Sequence, residues 1–588
     1  MPGLLMSEIR YIPFLSTNTP ESCLEEVTGL DSEAYPSGEP FLFCTSLGDV
    51  WTPDNLLDNL FSLRYRGKVF VTYNLGYESG ALLRHLSLVS LTELAAEGVL
   101  DCDGYRYVYF PHKFLSISKA HKTCRFYDLF PFFGSSLEHA AKVFLGDHKI
   151  EMDTHNFTPE LVLRDWDKIV RYCTHDAELT ARLGMYLLNK AHDLGIYPKA
   201  LHSPASLSSA YFSPYASNCM VRRYFYQNPE LLQMAFDSYR GGKFEMTQRG
   251  SFRGYRYDMI SAYPSVIRNL RALDKGRVVH EASYIPEACY AYYSVVARIP
   301  DGLFHPVGLA DGGVAVYPEG TIIATVCKPE LDFLLDHKVD VTITDAWHLM
   351  IKSRSYPYRQ VVDDLLELKV QYKDTDPWLY RLVKLTINSY YGKLVQMIEQ
   401  PNGTWRAGGL WNPIHASEIT ARVRCQMSEL QNRYAASAIA VHTDSIITRR
   451  EISPEYLGNS AGKFRLEGKG KGIMVLVGAY SLAAEGHTRG FKAPEGWSWK
   501  SALEKYPEAT SITLRVTEAR SWVEAVRLQD VTRINRFVET QKTIRLNEDR
   551  KRLWLKEATA QDLLGPLESS VARYGFDLRG RGKKRFII

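Results

Sequence analysis

Runs of β-favoured residues alternate with helical runs between residues 66 and 185. The β-rich runs are "GKVFVTYNL", "YRYVYF" and "CRFYDLF", and the helical runs are "ESGALLRHL", "SLEHAAKVF" and "DAELTARLGMYLLNKA". Such alternation predicts an α/β domain, which here ends near residue 200. The polar stretch "HSPASLSSAYFSPYASN" that follows is rich in turn-favouring residues. It predicts a boundary, after which a second, larger region begins near residue 236.

The pattern becomes helical between residues 350 and 395. The stretch "RQVVDDLLELKVQYKDTDPWLYRLVKLTINSYYGKL" predicts two helices broken at "DTDP", because Pro377 prefers a helix start and "DTD" favours turns and caps. Its neighbour "NPIHASEITARVRCQMSELQNRY" predicts another long helix. Next, "SAIAVHTDSIITRR" contains two short β runs and predicts a tight hairpin with Asp444 at its tip.

A second carboxylate lies at a similar place earlier in the chain. "GSFRGYRYDMI" predicts a strand, and Pro264 with "SVIRNL" predicts a short helix. Asp258 therefore marks the end of a strand. A carboxylate at a strand end or hairpin tip is usually only a turn or cap residue. The helix that lies between the two carboxylates favours a chemical role instead.

One face of that helix carries an ammonium, an amide and a phenol. Lys384, Asn388 and Tyr391 fall at i, i+4 and i+7, and Arg381 lies one turn earlier. A nucleoside triphosphate fits such a face, with cations for phosphate and a ring for sugar or base. Two carboxylates that converge on the triphosphate would hold two divalent ions, which activate a 3′-hydroxyl and stabilise the leaving pyrophosphate. The residues therefore predict nucleotidyl transfer.

Composition narrows the class of protein. At 588 residues the chain is too long for one core, so we expect several domains. Its 45% hydrophobic and 23% charged residues are typical of a soluble globular protein. No apolar run approaches the length of a membrane span, and the start "MPGLLMSEIR" has no secretory pattern, so we expect a cytoplasmic location. Nine scattered cysteines without a C-x-x-C pair argue against a zinc site or a disulfide framework.

The net charge of +4 does not by itself indicate a polyanionic partner. Basic residues do cluster locally, in "VRRYFY" at 221, "GKGKG" at 468 and "RGRGKKR" at 579. Each cluster fits a solvated loop or tail as well as it fits a phosphate contact.

The carboxylates and the helix also match a known family. "DMISAYP" resembles motif A of family B DNA polymerases (D-x-x-S-L-Y-P), "KLTINSYYG" their motif B (K-x-x-x-N-S-x-Y-G) and "HTDS" their motif C (D-T-D-S), in the same order. "YRGG" at 239–242 resembles the Y-x-G-G element of the protein-primed branch, which is found in phages, viruses and linear plasmids. The resemblance covers most of the chain, well in the middle and weakly at both ends.

The resemblance implies roles for individual residues. Asp258 and Asp444 would be the catalytic metal ligands, assisted by the backbone of Met259, and Tyr263 would exclude a 2′-hydroxyl. Thr443 and His442 would contact the metal ligands rather than the metals. The nucleotide-binding set would be Tyr263, Lys384, Asn388 and Tyr391, with Arg381 and Lys373 as weaker candidates for phosphate. The DNA-binding set would be Tyr239, Gly241, Gly242 and Tyr480.

The sequence departs from the family pattern in motif C and after it. His442 stands where the family has its first Asp; either the position tolerates His, or the imidazole shifts metal preference from magnesium towards manganese. The later K-x-Y motif survives only as "GAY" at 478–480, so Lys469 or Lys471 is expected to replace its lysine. The short stretch between Gly392 and Asp444 leaves no room for a full second insertion, the element that encircles DNA and gives processivity in the family.

The N-terminal region resembles the family's 3′–5′ exonuclease. Asn74, Tyr77 and Glu78 in "NLGYE" match N-x-x-F-D with Glu in place of Asp, and Tyr172 and Asp176 in "YCTHD" match Y-x-x-x-D. The first motif, D-x-E, is expected near the N-terminus, but "RYIPFLSTNT" has Pro13 and Leu15 where the acids belong. No D-x-E is identified. Lys149 in "GDHKIEM" matches the family's supporting lysine, but a surface lysine is the favoured interpretation. A degenerate domain with weak or absent proofreading is the expectation.

The predicted fold is an α/β and α+β multidomain chain, in which a ribonuclease-H-like 3′–5′ exonuclease-type domain precedes a polymerase right hand of palm, fingers and thumb. The predicted boundaries are 1–205 for the exonuclease-like domain, 206–300 for a linker and the first part of the palm, 301–349 for an insertion that contacts a priming protein or duplex, 350–395 for the fingers, 396–495 for the second part of the palm, and 496–588 for the thumb and basic tail.

The predicted function is a DNA-directed DNA polymerase that replicates a viral or plasmid genome, with two Mg²⁺ ions per site and Mn²⁺ as the alternative. Expected partners are template–primer DNA and dNTPs, with no membrane. A terminal protein hydroxyl, an ordinary 3′ end and self-priming all remain open as primers. The rival interpretations are a nucleic-acid-binding protein that keeps the polymerase fold without catalysis, and a nuclease that works mainly through the N-terminal domain.

Overall fold

The computed structural model describes residues 4–11 and 23–574, apart from 155, 217, 275, 312, 400–403, 484, 489–492 and 494–495. Pro13, Leu15 and the basic run at 579–585 therefore lie outside the described residues. Within the described part, no helix combines the length and apolarity that a membrane crossing needs.

The N-terminal domain is built on one eight-stranded sheet in the order β4-β3-β2-β5-β9-β8-β7-β6, in which β2, β5 and β9 run parallel. After a first strand that lies outside this sheet, β1 (Ile9–Tyr11), the strands are β2 (Thr28–Ala34), β3 (Pro40–Thr45), β4 (Val50–Trp51), β5 (Val69–Thr72), β6 (Val99–Cys102), β7 (Tyr105–Phe110), β8 (Phe114–Lys119) and β9 (Lys122–Asp128). The helices are α1 (Leu56–Leu60), α2 (Leu75–Leu82), α3 (Leu88–Glu97), α4 (Phe130–Phe133), α5 (Leu137–Ala140), α6 (Pro159–Arg164) and α7 (Trp166–Asp193). The alternation of β-rich and helical runs thus yields the predicted α/β domain.

Helix α7 packs unusually close to β2. A Cβ at Gly29 would lie 1.9 Å from the carbonyl oxygen of Ala177, so only glycine allows this approach. On α7 the buried residues Ile169, Cys173 and Leu183 face the sheet at helical spacing. The polar residues of β2 are consequently placed directly against one turn of α7.

The predicted boundary after residue 200 is partly wrong. Residues of "HSPASLSSAYF" form a helix, α8 (Pro204–Phe212), followed by α9 (Asn218–Gln227) and α10 (Pro229–Ser238). Leu207 and Phe212 are buried, and the Phe212 ring stacks on Tyr390 with centroids 4.1 Å apart. Tertiary packing of Leu207 and Phe212 compensates for the weak helix propensity of the serines around them.

The palm sheet has β11 near its centre, in the order β10-β20-β21-β11-β22-β23-β24. Its elements are β10 (Lys243–Met246), β11 (Gln248–Met259), β20 (Ala438–Thr443), β21 (Ser445–Thr448), β22 (Phe464–Leu476), β23 (Ala479–Leu482) and β24 (Glu485–His487), with α11 (Ala262–Ile267) and α16 (Pro413–Arg433) packed against it. The predicted hairpin around Asp444, the strand that ends at Asp258 and the long helix at 413–433 are confirmed.

Residues 277–350 form a separate four-stranded antiparallel sheet in the order β12-β17-β13-β16. Its elements are β12 (Arg277–His280), β13 (Tyr290–Ile299), β16 (Gly320–Cys327), α12 (Lys328–Asp336) and β17 (Asp340–Met350), together with a small hairpin of β14 (Leu309–Asp311) and β15 (Val314–Val316). This sheet begins before the predicted insertion boundary at 301, because β12 and β13 belong to it.

The finger helices are α13 (Arg359–Tyr372) and α14 (Pro377–Asn388), followed by the single turn α15 (Tyr390–Lys393). The predicted break at "DTDP" is confirmed: the Asp376 side chain caps α14 by accepting from the amides of Trp378 and Leu379. After α15, β19 (Trp405–Ala407) pairs with β1 on one side and with β18 (Met397–Glu399) on the other. Residues 9–11 therefore lie outside the N-terminal domain, and Tyr11 packs against Trp411.

The C-terminal region contains a long two-stranded ribbon, hereafter the thumb ribbon, of β25 (Ser511–Ala519) and β26 (Phe537–Arg545). The other elements are α17 (Trp499–Lys505), α18 (Trp522–Arg527), β27 (Arg552–Trp554), α19 (Ala560–Leu564) and β28 (Glu568–Ala572). Strand β28 pairs with β11, so the end of the described chain returns to the palm sheet.

Candidate active sites

Asp258 and Asp444 lie side by side on neighbouring strands. Asp258 is paired with Ser445 across β11 and β21, and the amide of Met259 donates to the carbonyl oxygen of Asp444 at 2.9 Å. Thr443 adopts a left-handed φ of 57°, and its hydroxyl donates to the Asp444 carboxylate at 2.7 Å. The turn therefore aims Asp444 at the end of the strand that carries Asp258.

The electrostatics of this pair suit divalent cations. Burial, followed by the charges of Asp444 and Glu467, raises the pKa of Asp258 to about 6. Two carboxylates that face each other repel unless protons or cations lie between them. Oxygen ligands of this kind are those that Mg²⁺ and Mn²⁺ prefer. Asp258, Asp444 and the Met259 backbone thus fit the metal pair that the sequence predicted.

Asp258 and Asp444 line a cavity of about 1110 Å³ between the palm sheet and the finger helices. Eight residues predicted for the polymerase site line it, namely Asp258, Met259, Tyr263, Lys373, Lys384, Asn388, Tyr391 and Asp444. Lysines and an amide on one wall face two carboxylates on another. The cavity is large enough for a nucleoside triphosphate.

The predicted single helix face is divided between two elements. Helix α14 ends at Asn388 and α15 begins at Tyr390, with Ser389 between them. Tyr391 nevertheless lines the same cavity, and its ring lies 4.3 Å from that of Tyr263. A Cβ at Gly242 would lie 2.9 Å from the Tyr263 hydroxyl, so glycine here leaves room for this aromatic wall.

The prediction for Arg381 is wrong. Its Nε donates to the carbonyl oxygen of Phe132 at 2.6 Å, and its guanidinium packs over Gly134. Burial lowers the pKa of Arg381. The N-terminal domain covers this flank of α14, where Trp378 stacks on Phe133 at 4.5 Å. Arg381 therefore ties the fingers to the N-terminal domain, and Tyr380 lines the cavity in its place.

Three further cations that the sequence did not single out line the cavity, namely Arg268, Lys369 and Arg465. Lys369 donates to the Ser261 hydroxyl at 2.9 Å, and burial, followed by the charge of Lys384, lowers its pKa. Arg465 lies on β22 directly opposite Asp258 and pairs with Glu467 at 2.6 Å. The i, i+4 spacing of Lys369 and Lys373 was a signal that could have found Lys369. Arg465 carries no local signal, because strand register alone brings it to Asp258.

His442 is half-buried and lies away from the cavity. Its ring lies 5.1 Å from each of Phe244 and Tyr480, and its Nε2 has no hydrogen-bond partner among the described residues. Burial, followed by the charges of His487 and Arg256, lowers the pKa of His442 to about 3, so the ring is neutral. The cavity walls, as far as they are described, leave it out. Its position supports a packing role and lends no support to a direct effect on metal choice.

The residues predicted to contact DNA stay predictions, with local partners now visible. Tyr480 is buried; its hydroxyl accepts from Arg256 at 3.3 Å and its ring stacks on His487 at 4.4 Å. Gly478 adopts a left-handed φ of 80°, while Lys469 and Lys471 are exposed on β22. In the Y-x-G-G segment, the Gly241 carbonyl accepts from Arg424 at 2.8 Å, and Tyr239 packs against the core beside the cavity.

The N-terminal domain holds a second carboxylate cluster, and here the sequence interpretation needs correction. The D-x-E pair that was not identified is Asp31 and Glu33, in "DSE" on β2. Their carboxylates and the Cys173 thiol lie within 4.8 Å of one another. The expected position preceded this strand, and "TGLDSEA" was passed over. The close approach of α7 to β2 then brings Asp176 to the same place.

The four acids of this cluster strongly perturb one another. Burial, followed by the charge of Asp176, raises the pKa of Asp31 to about 7. Burial is also the main cause that raises the pKa values of Glu33, Glu78 and Asp176. The cation that faces them is Lys149, whose Nζ lies 2.6 Å from Asp176. Lys149 is therefore no surface lysine, and the excess of carboxylates fits divalent cations here as well.

The remaining exonuclease-like residues surround the cluster. Asn74 has a left-handed φ of 82° and its amide donates to Asp128 at 3.0 Å, which starts α2 so that Glu78 is buried in the cluster. The Tyr172 ring lies 5.2 Å from the Lys149 ammonium. Every motif of the predicted exonuclease is thus present in one place, with Glu78 in place of Asp.

Comparisons with known proteins identify the family and the fold of this chain. The family model of type B DNA polymerases of organelles and viruses matches residues 108–403, half of the chain. A DNA polymerase of Acidianus bottle-shaped virus (isolate Italy/Pozzuoli) is 28% identical over 262 residues, which make up 42% of this chain and 38% of the relative. This match thus spans well under half of the relative's length.

Solved structures of Phi29 DNA polymerase share the fold. Its ternary complex with primer-template DNA and incoming nucleotide substrates matches with a TM-score of 0.61 at 14% identity, covering 89% of this chain and 100% of that one. Its orthorhombic crystal form matches with a TM-score of 0.55 at 15% identity, covering 78% and 87%. This chain therefore belongs to the organellar and viral type B DNA polymerases, and its fold is an exonuclease-type domain followed by a right hand of palm, fingers and thumb.

Proposed function

We propose that this chain is a DNA-directed DNA polymerase that adds deoxynucleotides to a 3′-hydroxyl by two-metal nucleotidyl transfer. The observation that carries the proposal is the pair of carboxylates, Asp258 and Asp444, joined through the Met259 amide at the mouth of a cation-lined cavity. Divalent ions held there would lower the pKa of the primer hydroxyl and neutralise charge on the departing pyrophosphate.

The chain's own residues would bind and orient the nucleotide. Lys369, Lys373 and Lys384 supply positive charge for the triphosphate from two helices. Asn388 offers an amide to phosphate or sugar. The paired rings of Tyr263 and Tyr391 form the wall against which a sugar would pack, and a 2′-hydroxyl would meet Tyr263 there. Substrates are therefore template–primer DNA and dNTPs, and the genome copied is viral or that of a plasmid.

The test is extension of a 5′-labelled primer on template DNA with Mg²⁺ or Mn²⁺, with Asp444→Ala compared with wild type. We expect template-directed elongation that the substitution abolishes. Asp340→Ala is the matched control, because Asp340 is an exposed carboxylate at the start of β17, in the separate four-stranded sheet of residues 277–350. Tight DNA binding without extension under either metal would favour the rival, a polymerase fold that binds DNA without catalysis.

A plain primer also bears on the choice of priming group. A protein hydroxyl and an ordinary 3′ end would present the same atom to Asp258 and Asp444. Extension of a plain primer supports the ordinary 3′ end. If only a protein-linked primer is extended, a terminal protein is the partner.

A second activity, 3′–5′ exonuclease, is favoured by the complete set Asp31, Glu33, Glu78 and Asp176 with Lys149. This proposal replaces the expectation of weak or absent proofreading, which rested on a missing D-x-E pair. Incubation of a 5′-labelled single strand with metal and without dNTPs should shorten it, and Asp31→Ala with Glu33→Ala should abolish shortening. Asp444→Ala is the control that should keep it. If the wild-type protein leaves the oligonucleotide intact, the N-terminal domain is a degenerate exonuclease without activity.

A further inference from the structure

A thiol lies among the carboxylates of the N-terminal cluster. The donor atoms of Asp31, Glu33 and Cys173 all lie within 4.8 Å of one another. Among the residues that the structure describes, no other three acid, histidine or cysteine side chains bring their donor atoms so close together. The polymerase cavity brings Asp258 and Asp444 together, and its described walls contain no cysteine. The two carboxylate sites of this chain thus differ in the chemistry of their donor atoms.

Strand and helix geometry place Cys173 on the face that carries the acids. Asp31 and Glu33 are at i and i+2 on β2, so their side chains point to the same face of the sheet. Cys173 and Asp176 are at i and i+3 on α7 and therefore lie on the same face of that helix. Gly29 allows these two faces to approach each other. The thiol is consequently held against the acids by the packing of α7 on β2.

Two carboxylate oxygens of the cluster have no hydrogen-bond partner among the described residues. They are Oε2 of Glu78 and Oδ1 of Asp176, in residues that are only 4% and 2% exposed. Lys149 pairs with the other oxygen of Asp176. Burial, followed by the charge of Asp31, raises the pKa of Glu78, so these two carboxylates are neighbours. Buried carboxylate oxygens are costly unless a hydrogen bond or a cation satisfies them, and these atoms therefore point to a bound cation.

A second thiol, that of Cys44, lies next to Cys173. The Cys173 thiol is within hydrogen-bond reach of both the Asp31 carboxylate and the Cys44 thiol. Cys44 is opposite Asp31 in the register of β2 and β3, and its Sγ lies 3.9 Å from the carbonyl oxygen of Val170. Both thiols border a small apolar core, but only Cys173 belongs to the close donor group. Cys44 is therefore a matched control for Cys173.

A sulfur donor changes which cation such a cluster prefers. Mg²⁺ takes oxygen ligands in octahedral geometry, whereas Zn²⁺ accepts thiolate and carboxylate donors in tetrahedral geometry. Zn²⁺ lies about 2.0–2.3 Å from such donors, so two donors around one ion are about 3.5 Å apart. Donor atoms that already lie within 4.8 Å of one another need to move by roughly 1 Å to meet this spacing. On binding, the thiol releases its proton to solvent and the sulfur becomes a thiolate ligand.

We propose that the N-terminal cluster binds a thiophilic divalent cation of the Zn²⁺ class through Asp31, Glu33 and Cys173. The proposal rests on the proposed exonuclease activity for the role of the ion in strand cleavage, but not for its binding. One ion of the cluster then has a sulfur ligand, whereas the ions of the polymerase cavity have oxygen ligands from Asp258 and Asp444. The two sites of the chain therefore differ in the divalent cation that each prefers.

Titration of the metal-free full chain with Co²⁺ tests sulfur ligation directly. Co²⁺ substitutes for Zn²⁺ in tetrahedral sites, and a thiolate ligand gives it a sulfur-to-cobalt charge-transfer band in the near ultraviolet. We expect a saturable band in the wild type, its loss in Cys173→Ser, and its persistence in Cys44→Ser and Cys124→Ser. Cys124 is another buried thiol of the same domain, and it donates to the carbonyl oxygen of Leu60 at 3.3 Å. A wild type without the band, or a band that survives Cys173→Ser, would overturn the proposal.

A second variant leaves the thiol in place. Asp31→Asn with Glu33→Gln keeps Cys173 and removes the charge of two proposed ligands. The affinity for Co²⁺, measured from the same band, should fall by at least the roughly 10–100-fold that loss of an outer-shell partner costs. Unchanged affinity in this double variant would place the sulfur-bound ion elsewhere and overturn the proposal.

Strand shortening separates this proposal from the proposed exonuclease activity. The wild-type protein is incubated with a 5′-labelled single strand in Mg²⁺, Mn²⁺ or Co²⁺, beside the spectroscopic titration. A band that depends on Cys173, without shortening in any of these metals, would support the ion site and contradict the exonuclease. Shortening in Mg²⁺ by a protein that shows no cobalt band would support the exonuclease and overturn the sulfur ligand.

Discussion

The two carboxylate clusters of this chain are balanced in different ways. In the palm, Asp258 and Asp444 face a cavity lined by Lys369, Lys384 and Arg465 as well. In the N-terminal domain, four acids face one cation among the described residues, Lys149. A pocket that binds a polyanion needs cations of its own, whereas a cluster of excess acids is balanced by bound metals. The source of positive charge therefore distinguishes a cavity suited to a nucleotide from a carboxylate cluster suited to bound metal ions.

The largest expected effect separates the two clusters. Asp258→Asn should lower extension by roughly a thousandfold or more, on the order of 4 kcal/mol in the barrier, because a metal ligand is lost. It should leave degradation of single strands unchanged. Asp176→Asn should do the reverse. Rates of dNTP incorporation and of oligonucleotide shortening for both variants check this prediction. A variant that impairs both activities equally would contradict the assignment of each cluster to a separate activity.

Removing a cation should lower activity more in the N-terminal cluster, which Lys149 faces, than in the palm cavity, where other lysines remain. Lys149→Met should lower exonuclease rate roughly 10–100-fold, because Asp176 loses the partner that orients it. Lys369→Met should raise the KM for dNTP by roughly tenfold, with a smaller effect on kcat, because Lys373 and Lys384 remain. Steady-state kinetics on both variants measure the contrast. A larger loss for Lys369→Met would show that the palm depends on a single cation after all.

The stability of the metal-free protein should depend on pH chiefly through the N-terminal cluster. The folded pKa values of Asp31 and Asp258, about 7 and about 6, are raised above the unfolded value of 3.8. From about pH 4 to pH 7 the folded state therefore binds more protons than the unfolded state does. Stability is lost as pH rises through this range. In EDTA, Tm should be about 2 °C or more lower at pH 8 than at pH 5.5.

Two controls sharpen this test. Added Mg²⁺ should restore Tm at pH 8, since metals replace the lost protons. Asp31→Asn with Glu33→Gln should flatten the metal-free profile more than Asp258→Asn does. A Tm that rises with pH in EDTA for the wild type would contradict the raised pKa values of both clusters.

The smallest expected effect concerns motif C. His442→Asn should change the ratio of extension rates in Mn²⁺ and Mg²⁺ by less than about threefold, because the ring is half-buried, neutral and away from the cavity. Primer extension over both metals gives the ratio. A shift of tenfold or more would falsify the packing role and restore the metal-choice interpretation.

Local signals in the sequence determined most of the palm site. The hairpin around Asp444, the strand end at Asp258 and the capped helix start at Pro377 are set by residues within a few positions, and they are confirmed. Motifs A, B and C, with Lys373, then predicted eight of the side chains that line the cavity. Each of these features follows from period, turn chemistry and capping, which act over short distances along the chain.

Only the tertiary structure decided the rest. Whether Arg381 faces the nucleotide or Phe132 depends on which domain covers that flank of α14, and the placement of Arg465 depends on strand register. The role of Asp31 and Glu33 was recognised only in the structure, where Gly29 allows α7 to pack closely against β2. The packing of Trp522 against Tyr109 joins segments some four hundred residues apart. Such contacts arise from packing of surfaces distant in sequence, which local patterns do not encode.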